Sequence, residues 1–357
     1  MSLRWSLAIS TYNRGEILLE AIRLSIAQSL PPIEIIVVDA SNNWQKTRDL
    51  VSAELVGTPI LLKYEQAAHR SSAAQRNQAM SLSSGDILFL LDDDSFMYPD
   101  CAETIVQLYE NDMQQSVVAI GAYGVARSPS EQITSFETKV TGATSAGPIL
   151  KRLGSTAVGN FVVRKLLMMQ YEEFFLPYKE AAFSKPQLPK NFPAISDVFA
   201  TNTIPGYALT VRRSVALRYL FDQSLRYYAP LEDADFCHRI QSDGALIVAR
   251  KAKVHHFQAA SGRMPRDKVI ALQILNMAVF LRKHATDITA KRRAYRIMLA
   301  RRVVAEFLKD LFARRLSFPQ LRGVIQAARY YPAVFNANSE AELDEIYPHI
   351  QATILGR

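Results

Sequence analysis

Cysteine is scarce: Cys101 and Cys237 are the only two in 357 residues, too few and too far apart for a disulfide framework or a thiolate metal site. Both read as buried thiols of a reducing compartment. Long apolar runs are missing too. The most apolar helical stretch, residues 269–281, is 13 residues long and carries Gln273 and Asn276, short of the roughly 20 needed to cross a bilayer. Residues 1–9 lack a charged start followed by an apolar core, so no signal peptide is expected. No Gly-x-Gly-x-x-Gly follows any strand candidate, which argues against a dinucleotide oxidoreductase. There is no internal repeat. What is present is an ordinary globular balance, 49% hydrophobic and 21% charged, long enough for one large or two modest folding units. The expectation is a cytoplasmic protein, soluble or peripheral at the inner face of a membrane.

Charge is unevenly spread. The net charge is +8, yet residues 263–329 hold 16 Lys plus Arg against four acids, so this segment carries +12 and the remainder −4. Such a segment suits an anionic partner, and an anionic membrane surface is the expected one, with no nucleic acid expected. A solvated helical face over a core accounts for the same charges equally well.

Short β-branched runs at 7–10, 34–38, 60–64, 86–91 and 117–123 alternate with helical patterns at 16–28, 45–56, 72–82 and 101–112. That alternation predicts a parallel sheet with crossover helices, which binds ligands beyond the carboxyl ends of its strands. Residues 129–205 read as loop-rich, with a helix over 161–175. Regular structure returns with strands at 206–211 and 245–249, helices from 213 and over 233–242, and a basic helical region from 266 to about 330. The expected division is one domain over 1–262, in halves of 1–125 and 126–262, followed by a basic helical region over 263–357.

Four constellations carry chemistry. In the first, the apolar strand Leu90-Leu91 runs straight into Asp92, Asp93 and Asp94. Burying like charges unpaired is costly, and a hard divalent cation shared with substrate phosphates removes the repulsion. The second is Asp39 at the end of another apolar strand, facing the same edge as the hydroxyls, amide and guanidinium of Thr11, Tyr12, Asn13 and Arg14; Arg76 and Asn77 precede the acidic strand. The third is Glu232-Asp233-Ala234-Asp235 followed by Arg239. An i,i+4 pair explains Asp235 and Arg239 but leaves Glu232 and Asp233 over, suited to general-base work. The fourth is His255-His256 after a strand, of which alternation turns only one inward if the segment is extended.

Taken in order, Ile9 to Arg14, Asp39, Arg76-Asn77, Asp86 through Asp94, and Gly206 through His256 resemble the family 2 glycosyltransferases, inverting enzymes of the GT-A fold. The resemblance covers roughly residues 5–260, and its second block, with Gly206, Arg212-Arg213-Ser214, Phe221-Asp222, Glu232 to Asp235, Arg239, Gly244 and His255-His256, is the more specific. It implies an α/β, Rossmann-like, mostly parallel sheet with a helical C-terminal extension. It further implies Mn²⁺ or Mg²⁺ held by Asp94, Asp92 and a histidine, His256 before His255. Donor contacts are implied for Thr11, Tyr12, Asn13, Arg14, Asp39, Arg76, Asn77, Asp92, Asp93, Gly206 and Arg239. Asp233 is the implied base, with Glu232 beside it. The donor would be a UDP-, GDP- or dTDP-sugar and the acceptor a glycan or lipid-linked hydroxyl. Two departures are visible: Ala40 stands where a second Asp often follows Asp39, and the Gln-x-x-Arg-Trp motif of processive synthases is absent. A sugar-nucleotide nucleotidyltransferase is the rival enzyme, but its early Gly-rich loop is represented only by Gly15. A basic membrane or nucleic-acid binding protein is the non-enzymatic rival.

Overall fold

The computed structural model describes residues 2–130, 197–227, 230–258 and 264–357, with scattered positions between 156 and 192. The helix expected over 161–175 lies outside the described residues apart from its first two positions. Contacts divide the chain into two compact units, one of residues 1–141, 185–223 and 232–263, the other of 142–184, 224–231 and 264–357. The second unit thus takes in two segments that the sequence reading places in the first domain.

The first unit is built on a nine-stranded sheet of order β3-β2-β1-β4-β8-β6-β9-β5, with β7 also paired to β9, counted among the described residues. Its parallel half comprises β1 (Trp5–Thr11), β2 (Glu34–Asp39), β3 (Leu61–Gln66) and β4 (Ile87–Asp92). The other half mixes directions: β5 (Ser95–Met97), β6 (Val117–Val125), β7 (Val198–Thr201), β8 (Leu209–Arg212) and β9 (Ala245–His256). Strand alternation explains the two cores. Leu7, Ile9, Ile35, Val37, Phe89 and Leu91 face one layer, which holds Leu18 and Ile22 of α1 (Gly15–Ile26), Val51 of α2 (Trp44–Glu54) and Ile105 of α4 (Cys101–Asn111). Ala8, Ile36, Val38, Leu88 and Leu90 face the other, with Met80 of α3 (Ser72–Leu82), Val215 of α5 (Arg213–Tyr219) and Phe236 of α6 (Glu232–Ile240). Cys101 and Cys237 are buried free thiols in these layers.

Two strands differ from the expected ones. Residues Gly206–Ala208 form a 3₁₀ turn, closed by the Ala208 amide on the Pro205 carbonyl, so the strand begins only at Leu209. β9 runs on to His256 instead of ending at Ala249, because a register shift against β6 absorbs the charged stretch after Ala249 and pairing resumes at Lys253.

In the second unit, helices α7 (Arg266–His284), α8 (Ile288–Phe312), α9 (Pro319–Asn336) and α10 (Glu340–Leu355) continue past the expected end near residue 330. Ser339 caps α10, accepting from the Glu342 amide. α7 is its centre, with eleven buried residues from Ile270 to Leu281 except Gln273. No described helix is long and apolar enough to cross a membrane.

Candidate active site

Parallel pairing brings the carboxyl ends of β1, β2 and β4 to one edge: Ser10 lies opposite Asp92, and Thr11 opposite Asp39. Gln75 of α3 ties this edge together, donating to the Thr11 carbonyl at 3.0 Å and the Val38 carbonyl at 2.9 Å. After Asp92 the chain turns through Asp93 and Asp94 into β5, and β5 pairs with β9 so that Ser95 lies opposite His256. This short pairing is what sets Asp94 beside His256.

The result is a group of three potential ligands, Asp92, Asp94 and His256, whose ligand atoms all lie within 4.8 Å of one another. His256 Nε2 is 3.2 Å from an Asp94 oxygen. Two carboxylates and an imidazole at that spacing make a donor set that fits Mn²⁺ or Mg²⁺ when substrate phosphates complete the shell. Asp93 stands apart. It turns inward, accepting from the Thr11 hydroxyl at 2.7 Å and from Arg14 at 3.0 Å, and burial pushes its carboxyl up to about 7 against the pull of Arg14. Arg14 also lies 3.6 Å from Asp94, so one guanidinium serves two neighbouring acids.

His255 and His256 separate as strand alternation requires. The His255 ring is 3.0 Å from the Val125 carbonyl and stacks on Phe96, away from the acids. His256 stacks on Tyr207, with ring centroids 4.4 Å apart and planes at 13°. Tyr207 was not among the expected residues; an aromatic directly after Gly206 was the available signal.

Arg76 is the buried hub of the second carboxylate group. Its Nη2 donates to Asp92 at 2.6 Å, its Nη1 to the Leu90 carbonyl at 3.3 Å, and its Nε lies 3.5 Å from Glu232. Gly206 packs so close that an added Cβ would stand 2.5 Å from Arg76 Nη2, which accounts for glycine there. The Gly206 amide donates to Asp233 at 3.1 Å, and the Ala234 amide to its other oxygen at 2.8 Å. Asp233 keeps partial exposure while Glu232 is buried, bonded to the Ser72 hydroxyl. Burial raises the Glu232 carboxyl to about 7, although Arg76 and Ser72 pull it down. Desolvation also raises Asp233, opposed by the Gly206 amide and Arg76.

Several expected donor contacts are engaged within the protein. Asp39 is fully buried, accepting from the Tyr64 hydroxyl at 2.6 Å and the Ser41 amide at 2.7 Å, so it braces the edge from inside. Asn77 spends both amide atoms on the backbone of Phe221, at 2.9 and 2.7 Å. Arg239 pairs with Asp235 at 2.8 Å and donates to the Tyr219 and Leu220 carbonyls, which bears out the i,i+4 explanation for that pair. On the loop after β1, Asn13 is exposed with φ 54°, its amide donating to Ser41 Oγ at 2.7 Å, and Tyr12 lies under the Arg70 guanidinium at 3.5 Å.

Residues 6–167 match the model of glycosyl transferase family 2. A glucosyl-dolichyl phosphate glucuronosyltransferase of Haloferax volcanii is 28% identical over 133 residues, 36% of this chain and 41% of that relative's length. Among solved structures, a mannosyltransferase of Pyrobaculum calidifontis, in complex with GDP-Man and Mn²⁺, superposes with a TM-score of 0.52 at 14% identity, over 99% of this chain and 87% of that one. GalNAc-T7 with UDP, GalNAc and Mn²⁺ gives 0.53 at 14% identity, over 98% of this chain and 58% of that one. At such identities the structural likeness speaks for the fold, which is the GT-A arrangement.

Proposed function

From the family 2 match over residues 6–167 and the GT-A fold, we propose that this chain is a glycosyltransferase that transfers a sugar from a nucleotide-diphospho-sugar to an acceptor hydroxyl with inversion, in polysaccharide, glycolipid or other glycoconjugate synthesis. The observation that carries this reading is one site holding two carboxylate groups with different surroundings: Asp92, Asp94 and His256 in ligand spacing, and Asp233 held by two amides across Arg76.

Asp92, Asp94 and His256 would hold Mn²⁺ or Mg²⁺, which when bound neutralises charge on the diphosphate as the nucleotide departs. Thr11, Tyr12, Asn13 and Arg14 line the donor side of the edge, and Arg14 keeps Asp94 oriented while neutralising Asp93. Arg76 orients Asp92. Asp233 accepts the acceptor hydroxyl's proton as that oxygen bonds to the anomeric carbon and the bond to the diphosphate oxygen breaks on the opposite face. Burial raises its pKa, and a stronger base takes the proton more readily. The basic segment 263–329 suits an anionic membrane surface, where a lipid-linked acceptor would lie. The test is Asp233→Asn, which should keep donor affinity but lose transfer and donor hydrolysis by roughly 10²- to 10⁴-fold. Turnover within a few-fold of the unmodified protein would place the base elsewhere.

A further inference from the structure

Helix α8 is inside out. Its inward side buries Tyr295 and Met298 but also Arg302, Glu306 and Asp310, whereas Ile297, Val304, Phe307 and Leu311 stand outward with exposures of 50, 48, 39 and 43%. The buried charges are accounted for within the unit. Arg302 and Lys309 pair with Glu306 at 2.6 and 2.9 Å, and Asp310 accepts from the Gln320 and Leu321 amides, anchoring the start of α9. Among the described residues no element covers the outward apolar face.

That face has a regular pattern. Residues 297, 300, 304, 307 and 311 recur in steps of three and four, so Ile, Ala, Val, Phe and Leu form one seam along the helix. The apolar surface continues beyond the helix end, where Leu316 is 79% exposed and Phe318 stacks on Phe307 with centroids 5.4 Å apart. Both acids of α8 are fully buried, so the charge left at its surface is basic: Arg293 and Arg296 are exposed, Arg301 is half-buried beside the seam, and Arg314 stands exposed past the helix end.

We propose that this face of α8 seats the protein on an anionic lipid bilayer, its apolar seam entering the headgroup boundary and its arginines meeting lipid phosphates. A second copy is a poor occupant, because pairing the seams would set Arg296 and Arg301 against their own kind. A nucleic-acid duplex would satisfy the arginines but leave Phe307 and Leu311 without apolar cover. A bilayer surface meets both requirements at once: basic residues near it gain from its potential, and apolar side chains gain from burial at the acyl boundary. The inference gives the membrane placement proposed above a defined surface. Because its assay contains no sugar nucleotide, its failure would leave the transfer chemistry standing.

The whole chain is mixed with vesicles of phosphatidylcholine alone or with phosphatidylglycerol, and bound protein is separated by flotation. Binding is expected on the anionic vesicles only, weakening as salt rises. Arg296→Gln and Arg301→Gln should each lower partitioning about fivefold. A solvent-sensitive dye on Leu311→Cys should shift to the blue on anionic vesicles, the native thiols being buried. Ile297→Glu with Val304→Glu should abolish binding at a nearly unchanged melting temperature, as expected for the two most exposed large apolar positions of the seam on the helix. The proposal is overturned by equal binding to neutral vesicles, by anionic binding that survives these substitutions, by capture of duplex DNA without vesicle binding, or by a solution dimer that Val304→Glu dissolves.

Discussion

Replacing Glu232 by Gln should remove a pH dependence that the fold itself creates. The buried carboxyl holds its proton up to about pH 7, whereas an ordinary glutamate releases it near 4.5. The raised value means that folding takes up a proton between these limits. Its contribution is therefore most favourable below pH 4.5 and is lost as pH rises through 7. At about 1.4 kcal/mol per unit, the loss above pH 7 is on the order of 3 kcal/mol. Glutamine retains an acceptor for the Ser72 hydroxyl and an oxygen facing Arg76, but it does not ionise. Glu232→Gln should thus gain stability on the unmodified protein from pH 5 to about pH 7 and hold a constant margin above it. Urea titrations followed by fluorescence of Trp5 and Trp44, both in the first unit, read the change where it arises. Parallel stability profiles for the two proteins across that range would show instead that Arg76 keeps Glu232 ionised in the fold.

Other consequences can be measured separately. His256→Ala should weaken Mn²⁺ binding at least roughly tenfold, as expected for loss of a ligand or its immediate support, while His255→Ala should leave it unchanged; isothermal titration distinguishes them, and the reverse order would exchange their roles. Gly206→Ala should force Arg76 away from Asp92 and cost about 1–3 kcal/mol, seen as a lower melting temperature together with weaker Mn²⁺ binding. Asp235→Asn should lower stability without a matching loss of turnover, because its partner Arg239 holds the carbonyls of Tyr219 and Leu220 instead of substrate.

The parallel half of the sheet was legible because β1, β2 and β4 are mostly apolar and buried, and β3, although largely exposed, sits between two helical stretches where the alternation calls for a strand. β5 and β7 escaped notice, since three or four residues carry no period, and their strand character comes from pairing with β9. That omission matters, because β5 is what brings Asp94 to His256. The acidic run was visible in sequence, but its division of labour was not: Asp93 turns inward only because Thr11 and Arg14 wait on the neighbouring strand and loop. Asp39 shows the same limit. Its engagement is decided by Tyr64, 25 residues away on β3. The basic C-terminal segment showed its charge in sequence, yet which side chains stand outward depended on how α8 buries its own acids.

Asp92, Asp94 and His256 are the proposed metal-dependent seat of a nucleotide-diphospho-sugar. Its most direct test is a thermal-shift titration with UDP-, GDP- and dTDP-sugars, with and without Mn²⁺, on the unmodified protein and on Asp94→Ala. Binding at a hundredfold excess over Kd adds about 2.7 kcal/mol to folding stability, enough to raise the melting temperature measurably. At least one donor should give a rise that requires Mn²⁺ and disappears in Asp94→Ala, whose own melting temperature without ligand stays close to that of the unmodified protein. An equal Mn²⁺-dependent rise in both proteins would contradict that assignment.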